Sequence, residues 1–126
     1  MIDKQRLRRL LAPKSIAVFG SRGADFAVRE SLAMGFVGPI WSIHPTRDEL
    51  MGIKCLPSVT DLPHAPDAAY VAVNAESAIT TVAQLNKMGA GGALLYASGF
   101  SELGDELEAV GLHRQQRLIA AAGDMP

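Results

Sequence analysis

Short runs of apolar residues recur along the chain, with little of the alternation that a sheet open to water on one face would show. The runs are Ile16–Phe19, Ile40–Ile43, Asp67–Val73 and Gly92–Ala97, with Ile53–Leu56 as a candidate short edge strand. Strands that are buried on both faces have this pattern, and such strands are typical of parallel sheets. The pattern therefore predicts a largely parallel sheet.

Two segments in the first part of the chain have the spacing and the boundary residues of helices. Asp3 is a candidate N-cap for a helix that ends before Pro13, with Leu7, Leu10 and Leu11 packing inward. Its basic residues are expected to form a solvated face rather than a nucleic-acid patch, and they are Lys4, Arg6, Arg8 and Arg9. A second helix is predicted over Ala27–Met34, closed by Gly35.

The clearest helix signal follows the third apolar run. Asn74 is a candidate N-cap, and Glu76 falls in the first turn, where the helix dipole favours an acid. One apolar face runs from Ala78 through Val82 and Leu85 to the terminating Gly89.

Two segments are predicted to be largely irregular, and one more helix follows them. Thr46–Gly52 is expected to form a loop or a single helical turn, and Ser101–Glu108 to be irregular and acidic. A last helix is predicted from Leu112 to Ala122. Strands that alternate with helices in this way predict an α/β fold with a Rossmann-like open parallel sheet and helices on both faces. We expect one domain over residues 1–126, with residues 1–13 as a helical lead-in.

The candidate binding site lies where the predicted strands end, because ligands of open parallel sheets bind beyond the carboxyl ends of the strands. Gly20 and Gly23 connect the first strand to the second helix, whose amino end favours phosphate, although a purely structural turn would have the same glycines. The strand-end segments that we expect to share one crevice are Gly20–Gly23, His44–Arg47, Val73–Ala75 and Ser98–Phe100.

Composition narrows the functional classes. The 126 residues are 48% hydrophobic and 20% charged, which predicts a packed core, and the net charge of −1 gives no overall attraction to nucleic acid or to an anionic membrane. Cys55 is the only cysteine, so neither an internal disulfide nor a cysteine-based metal cage can form. The longest apolar runs are too short to span a membrane, and we expect a cytoplasmic protein.

The motifs argue against an NAD site, a metal site and a nucleophilic catalytic site. The turn after the first predicted strand lacks the three glycines of a dinucleotide fingerprint. An acid that binds the ribose of NAD would follow the second strand, and this chain has His44-Pro45 there. Both observations argue against NAD as the ligand. His64 and His113 have no metal-ligand spacing, so no metal site is predicted. No nucleophile with an assignable base is visible, and no catalytic residue is assigned.

The order of the motifs resembles a known family. The matching phrases are Leu11-Ala-Pro-Lys-Ser-Ile-Ala-Val18, Gly35-Phe-Val-Gly-Pro-Ile40, His44-Pro45, Gly52-Ile-Lys-Cys-Leu-Pro-Ser58, Asp61-Leu-Pro63, Pro66-Asp-Ala68 and Ser98-Gly-Phe-Ser-Glu-Leu-Gly104. Together they resemble the N-terminal CoA-binding domain of NDP-forming acyl-CoA synthetases, the family of ADP-forming acetate–CoA ligase and the succinyl-CoA synthetase alpha chain.

The resemblance implies a role and a set of ligand contacts. Such ligases join a carboxylic acid to coenzyme A with ATP or GTP and Mg, and they use a phosphohistidine domain and an ATP-grasp domain to do so. The N-terminal domain, which this chain resembles, holds CoA. By position, the resemblance places Gly20, Ser21 and Arg22 along the diphosphate, Val73 and Asn74 along the nucleotide, and Ser98, Gly99 and Phe100 near the pantetheine arm. The family usually has Asn-Pro-Lys where this chain has His44-Pro45-Thr46, and Arg47 is the neighbouring candidate for the missing lysine charge.

The resemblance also implies that the chain works with other domains. The family's next strand would follow Pro126, so we expect the fold to be truncated before its last strand, with the phosphohistidine and ATP-grasp domains in cis or in a partner subunit. This fragment alone is then expected to be inactive. Two alternatives stay open: a stand-alone regulatory module that responds to CoA or a nucleotide, and, less favoured, an NAD-binding dehydrogenase domain.

Overall fold

A computed structural model describes residues 2–20, 22–96 and 105–126 of the chain. Helices and strands alternate along it. The elements are α1 (Lys4–Leu11), β1 (Ile16–Gly20), α2 (Arg22–Ala33), β2 (Ile40–Ile43), β3 (Glu49–Leu50), β4 (Ile53–Leu56), a 3-10 turn (Val59–Asp61), β5 (Ala68–Ala72), α3 (Ala75–Met88), β6 (Gly92–Leu95) and α4 (Asp105–Ala122). No helix in the described ranges is both long enough and apolar enough to cross a membrane.

The strands of the described ranges form one six-stranded sheet in the order β3-β4-β2-β1-β5-β6. Every neighbouring pair is parallel except β3 with β4, so the carboxyl ends of the main strands meet at one edge. The chain passes from β1 outward to β2 on one side and later returns to β5 on the other side of β1. This change of direction places the crevice of a Rossmann-like sheet beside the carboxyl end of β1, and the predicted fold class is confirmed.

Both faces of the sheet are packed, which is why its strands are apolar without alternation. On one side, Phe19 and Val71 pack with Val82 and Leu85 of α3. On the other side, Val18 belongs to a smaller cluster that contains Ala24, Val28, Leu50 and Cys55. Cys55 is buried, and its thiol lies 3.3 Å from the hydroxyl of Ser42.

The second helix begins five residues earlier than the sequence predicts, at Arg22 rather than Ala27. Gly23 therefore lies in the first turn of α2 and not in an open glycine loop. A Cβ added at Gly23 would lie 2.5 Å from the Cβ of Ala72, so this glycine lets α2 pack closely on β5. Local sequence does not show this packing, because Ala72 is far from Gly23 along the chain.

The segment predicted as a loop or helical turn contains a small β-hairpin. Glu49–Leu50 pairs antiparallel with β4, and the connecting Met51 and Gly52 have positive φ values of 49° and 82°. Such values suit the tight turns that join antiparallel strands. The hairpin makes β3, and not β4, the edge of the sheet, and it buries Leu50 completely.

Two further boundaries differ from the prediction. The last helix begins at Asp105 and not near Leu112, so the part of the predicted irregular acidic segment that the structure describes, residues 105–108, is helical. Acidic residues are favoured in the first turn of a helix, and the run of acids marks a helix start rather than a loop. Leu11 was expected to pack inward, but it is 74% exposed at the last turn of α1.

The basic face of the first helix is also not simply solvated. Asp3 caps α1 as predicted, accepting hydrogen bonds from the backbone N–H groups of Gln5 and Arg6. The guanidinium of Arg6 donates to the carbonyl of Ala90 (2.7 Å), and that of Arg9 donates to the carbonyl of Gly89 (2.8 Å). These carbonyls lie at the carboxyl end of α3, where cations are favoured, so the two arginines attach α1 to the end of α3.

Candidate functional site

A cleft of about 500 Å³ opens at the carboxyl ends of β1, β2 and β5. The amino-terminal half of α3 forms one wall, and the segment around the 3-10 turn forms another. The residues that line it are Phe19, Gly20, Ile43, His44, Pro45, Pro57, Ser58, Val59, Ala72, Val73, Asn74, Ser77, Thr81 and Gln84. The cleft therefore occupies the position that the strand order predicts for a ligand.

Gly20 ends β1 at the floor of the cleft. Its φ is 115°, a value that side chains rarely allow, and an added Cβ would collide with the carbonyl oxygen of Ala72. The glycine thus permits two things at once, the close approach of β1 to β5 and the turn into α2. Because α2 begins two residues later, its amino end and the positive end of its dipole lie beside this floor.

Asn74 begins the α3 wall. Its side-chain oxygen accepts a hydrogen bond of 2.9 Å from the backbone N–H of Ser77, which confirms the predicted N-cap. This oxygen is therefore engaged in capping the amino end of α3. Ser77, Thr81 and Gln84 follow on α3 at intervals of three or four residues, so they add hydroxyl and amide groups to the same wall.

His44 and Pro45 follow β2 on the opposite side. The imidazole of His44 turns back onto its own loop, where Nδ1 lies 3.2 Å from the backbone nitrogen of Thr46 and 3.0 Å from that of Arg47. The ring is half-buried and lines the cleft. His44 is thus both a wall residue and the organising group of the loop after β2.

Arg47 is not among the residues that line the cleft. Its Nε donates to the carbonyl of Glu49 at 2.9 Å, and its Nη1 lies 3.6 Å from Oδ1 of Asp25 in the first turn of α2. Within the described ranges, this buried Asp25 oxygen has no hydrogen bond. Arg47 therefore lies against the start of α2, at the side of the cleft, and its role in binding phosphate stays a prediction.

A second arginine–carboxylate contact lies at the start of α3. Glu76 accepts hydrogen bonds from Nη1 of Arg117 (2.9 Å) and Nε of Arg114 (3.2 Å), both on α4. The hydrogen bond from Arg117 contributes most to keeping the pKa of Glu76 below its ordinary value. Sequence reasoning missed this contact, although the three-residue spacing of the two arginines on one helix was a usable signal.

The structure brings together five of the residues predicted for the site, which are Gly20, His44, Pro45, Val73 and Asn74. Ser21, Ser98, Gly99 and Phe100 lie outside the described residues. Sequence reasoning missed Ser58 and the α3 hydroxyls, because the 3-10 turn and α3 meet only in the folded chain. Ser58 was detectable as the start of a capping box with Asp61, which signals a turn but not a site.

The described walls combine apolar surface with a few polar groups. His44 is the one titratable side chain among the described residues that line the cleft, so these walls contain no pair of carboxylates. Hydroxyl, amide and imidazole groups face apolar Phe19, Ile43 and Val73. Such a mixture of apolar surface with a few polar groups is typical of sites that hold a small molecule.

Comparison with known proteins agrees with this geometry. Residues 14–124 match the family model described as a CoA binding domain. The chain is 38% identical over 127 aligned positions to a trans-feruloyl-CoA synthase from an unknown prokaryotic organism, covering 97% of this chain and 17% of that protein. It is 34% identical over 121 positions to an ADP-forming acetate–CoA ligase of Archaeoglobus fulgidus, covering 92% of this chain and 17% of that protein.

A solved structure shares the fold. The apo form of a dinucleotide-forming acetyl-coenzyme A synthetase from Ca. Korarchaeum cryptofilum superposes with a TM-score of 0.75 at 30% identity, covering 94% of this chain and 26% of that chain. The chain thus spans about a sixth of the length of the two sequence relatives and about a quarter of the structural one. The resemblance in the motifs is confirmed, and the chain belongs to the family of CoA-binding domains found in acyl-CoA ligases.

Proposed function

We propose that this chain binds coenzyme A in the cleft at the carboxyl ends of β1, β2 and β5, as the CoA-binding part of an NDP-forming acyl-CoA ligase. The observation that carries the proposal is the position of Gly20, His44 and Asn74 around one cleft in a chain that matches the CoA-binding family over residues 14–124. The absence of an acid among the described wall residues also favours an anionic ligand, because no fixed negative charge repels it there.

The proposed orientation follows the polarity of the site. The diphosphate would lie beside Gly20 and the amino end of α2, with Ser21 and Arg22 next to it, since backbone N–H groups and a helix dipole favour phosphate. The nucleotide would lie along Val73 and Asn74. The pantetheine arm would extend toward Ser98, Gly99 and Phe100.

The ligase activity would need partners. We propose that a carboxylic acid is joined to CoA with ATP or GTP and Mg bound by other domains, a phosphohistidine domain and an ATP-grasp domain, in cis or in a partner subunit. The relatives support this arrangement, because the chain covers only 17% of the ADP-forming acetate–CoA ligase and 24% of the alpha subunit of another from Pyrococcus furiosus.

The binding proposal is tested by thermal unfolding with CoA, dephospho-CoA, ADP and NAD. A ligand present at about 100 times its dissociation constant should stabilise the native state by about 2.7 kcal/mol. We expect a clear rise of the melting temperature with CoA and little change with NAD, since His44 replaces the acid that would hold the NAD ribose. A rise with NAD and none with CoA would contradict the proposal.

A further inference from the structure

The imidazole of His44, in the wall of the cleft, is held in one orientation by its own loop. Two backbone N–H groups, those of Thr46 and Arg47, point at Nδ1 of His44 at 3.2 Å and 3.0 Å. A backbone N–H can only donate a hydrogen bond, so Nδ1 must be the acceptor and cannot carry a proton. In a neutral imidazole the single proton is then on Nε2.

The second ring nitrogen is left for a ligand. Within the described ranges, no side chain or carbonyl accepts a hydrogen bond from Nε2, and the ring lines the cleft. The hydroxyl of Thr46 also lies near Nδ1, at 3.5 Å. The loop therefore uses one edge of the imidazole and leaves the edge that carries the N–H unpartnered.

A neutral donor has a specific value here, because the described wall residues of the cleft include no lysine or arginine. Uncharged N–H and O–H groups of these walls can still contribute to holding an anion, because hydrogen bonds to a charged acceptor are stronger than those between neutral groups. We propose that His44 is fixed as the Nε2–H tautomer by its loop and donates this hydrogen to a phosphate oxygen of the bound ligand. The identity of the ligand rests on the proposed function, whereas the tautomer rests on the loop geometry alone.

Two substitutions separate the two roles of the ring. In His44→Asn, the side-chain oxygen can take the place of Nδ1 and accept from Thr46 and Arg47, but no donor reaches the position of Nε2. In His44→Gln, the longer amide can place a donor near Nε2, but the acceptor for the loop is lost. His113→Gln is the matched control, because His113 is exposed on α4 and does not line the cleft.

Calorimetric titration with CoA and thermal unfolding distinguish these variants. We expect His44→Asn to unfold near the temperature of the parent but to bind CoA about 10-fold or more weakly, the usual effect of losing a hydrogen bond to a charged group. His44→Gln should unfold at a lower temperature and keep more of the affinity than His44→Asn does. Binding of CoA by His44→Asn as tight as that of the parent would overturn the proposal.

The tautomer is read directly from the nitrogen resonances of the 15N-labelled chain, because protonated and unprotonated ring nitrogens resonate far apart. We expect Nε2 of His44 to be protonated in the free protein, and its signal to shift on addition of CoA, ADP or inorganic diphosphate. If CoA does not bind at all, the proposed function fails, and the response to ADP and diphosphate still decides the role of His44. A proton on Nδ1, or no response of the signal to CoA, ADP or diphosphate, would overturn the proposed role of His44.

Discussion

Arg47 and Asp25 set the charge at the side of the proposed phosphate site. The guanidinium and the carboxylate lie 3.6 Å apart, and their side chains are 36% and 39% exposed. An ion pair with this exposure contributes about 0–1 kcal/mol to stability. Asp25 lies in the first turn of α2, where the positive end of the helix dipole favours an anion. Its carboxylate therefore competes with a ligand phosphate for this end of the dipole.

We therefore predict that Asp25→Asn strengthens CoA binding. The substitution removes a negative charge near the ligand phosphates and frees Arg47, and a gain of about 1 kcal/mol, or roughly 5-fold in the dissociation constant, is expected for partly exposed charges. Calorimetric titration at low and high salt measures the gain, which should shrink as salt screens the charges.

Asp48→Asn is the matched control, because it removes an exposed carboxylate next to Arg47 that does not lie at the start of α2. Adding Arg47→Ala to Asp25→Asn should cancel the part of the gain that depends on the freed arginine. An unchanged or weaker affinity in Asp25→Asn would contradict this assignment.

At the scale of elements, the first helix is attached to the sheet by a small polar cluster around Asp67. One carboxylate oxygen of Asp67 accepts from Nε of Arg9 (2.7 Å), and the other accepts from the backbone N–H of Lys14 (2.8 Å). Burial alone would raise the pKa of Asp67, but the hydrogen bonds from Arg9 and Lys14 outweigh it and hold the pKa below the ordinary value of 3.8. The ionised form of Asp67 therefore stabilises the folded state.

We predict that Asp67→Asn lowers the free energy of unfolding by about 1–3 kcal/mol at neutral pH, the usual range for a lost charge-assisted hydrogen bond. Because the folded-state pKa lies below the unfolded-state value, the contribution is complete above that unfolded value and is lost as the pH falls through the folded one. Urea unfolding of parent and variant across this acid range measures the difference.

Asp48→Asn again serves as the control, since its carboxylate is exposed. The difference between parent and Asp67→Asn should shrink in acid, whereas a difference that stays constant with pH would show that the carboxylate charge is not the cause.

At the scale of the whole molecule, each of the three histidines has a defined position in the described part of the chain. In the described ranges, His44 is used by its loop, His64 stacks edge-on against Trp41 with ring centres 4.9 Å apart, and His113 is exposed on α4. None of them has a carboxylate hydrogen-bonded to its ring in these ranges, so none is oriented as a carrier of phosphate.

We predict that the 126-residue chain alone gives neither phosphoprotein nor thioester when it is incubated with labelled ATP, magnesium, CoA and a panel of carboxylic acids. Catalysis by positioning requires the reacting groups to be held together, and the proposed nucleotide and phosphohistidine sites belong to other domains. Labelling of the chain that disappears on substitution of a single histidine would contradict this prediction.

The sequence by itself determined the parts of this protein that depend on neighbours along the chain. The strands β1, β2, β5 and β6 follow from short, largely apolar runs, and the start and end of α3 follow from Asn74 and Gly89. Because parallel strands all end at one edge, these local features also predicted that the loops after β1, β2 and β5 would share a cleft. The family could be recognised for the same reason, since its motifs are short phrases in a fixed order.

Tertiary structure decided the features that depend on residues distant in sequence. The contact with Ala72 explains why a glycine stands at position 23 inside a helix, and the carboxyl end of α3 explains why Arg6 and Arg9 are bound rather than solvated. Such contacts arise because packing and hydrogen bonding depend on distance in space and not on spacing along the chain.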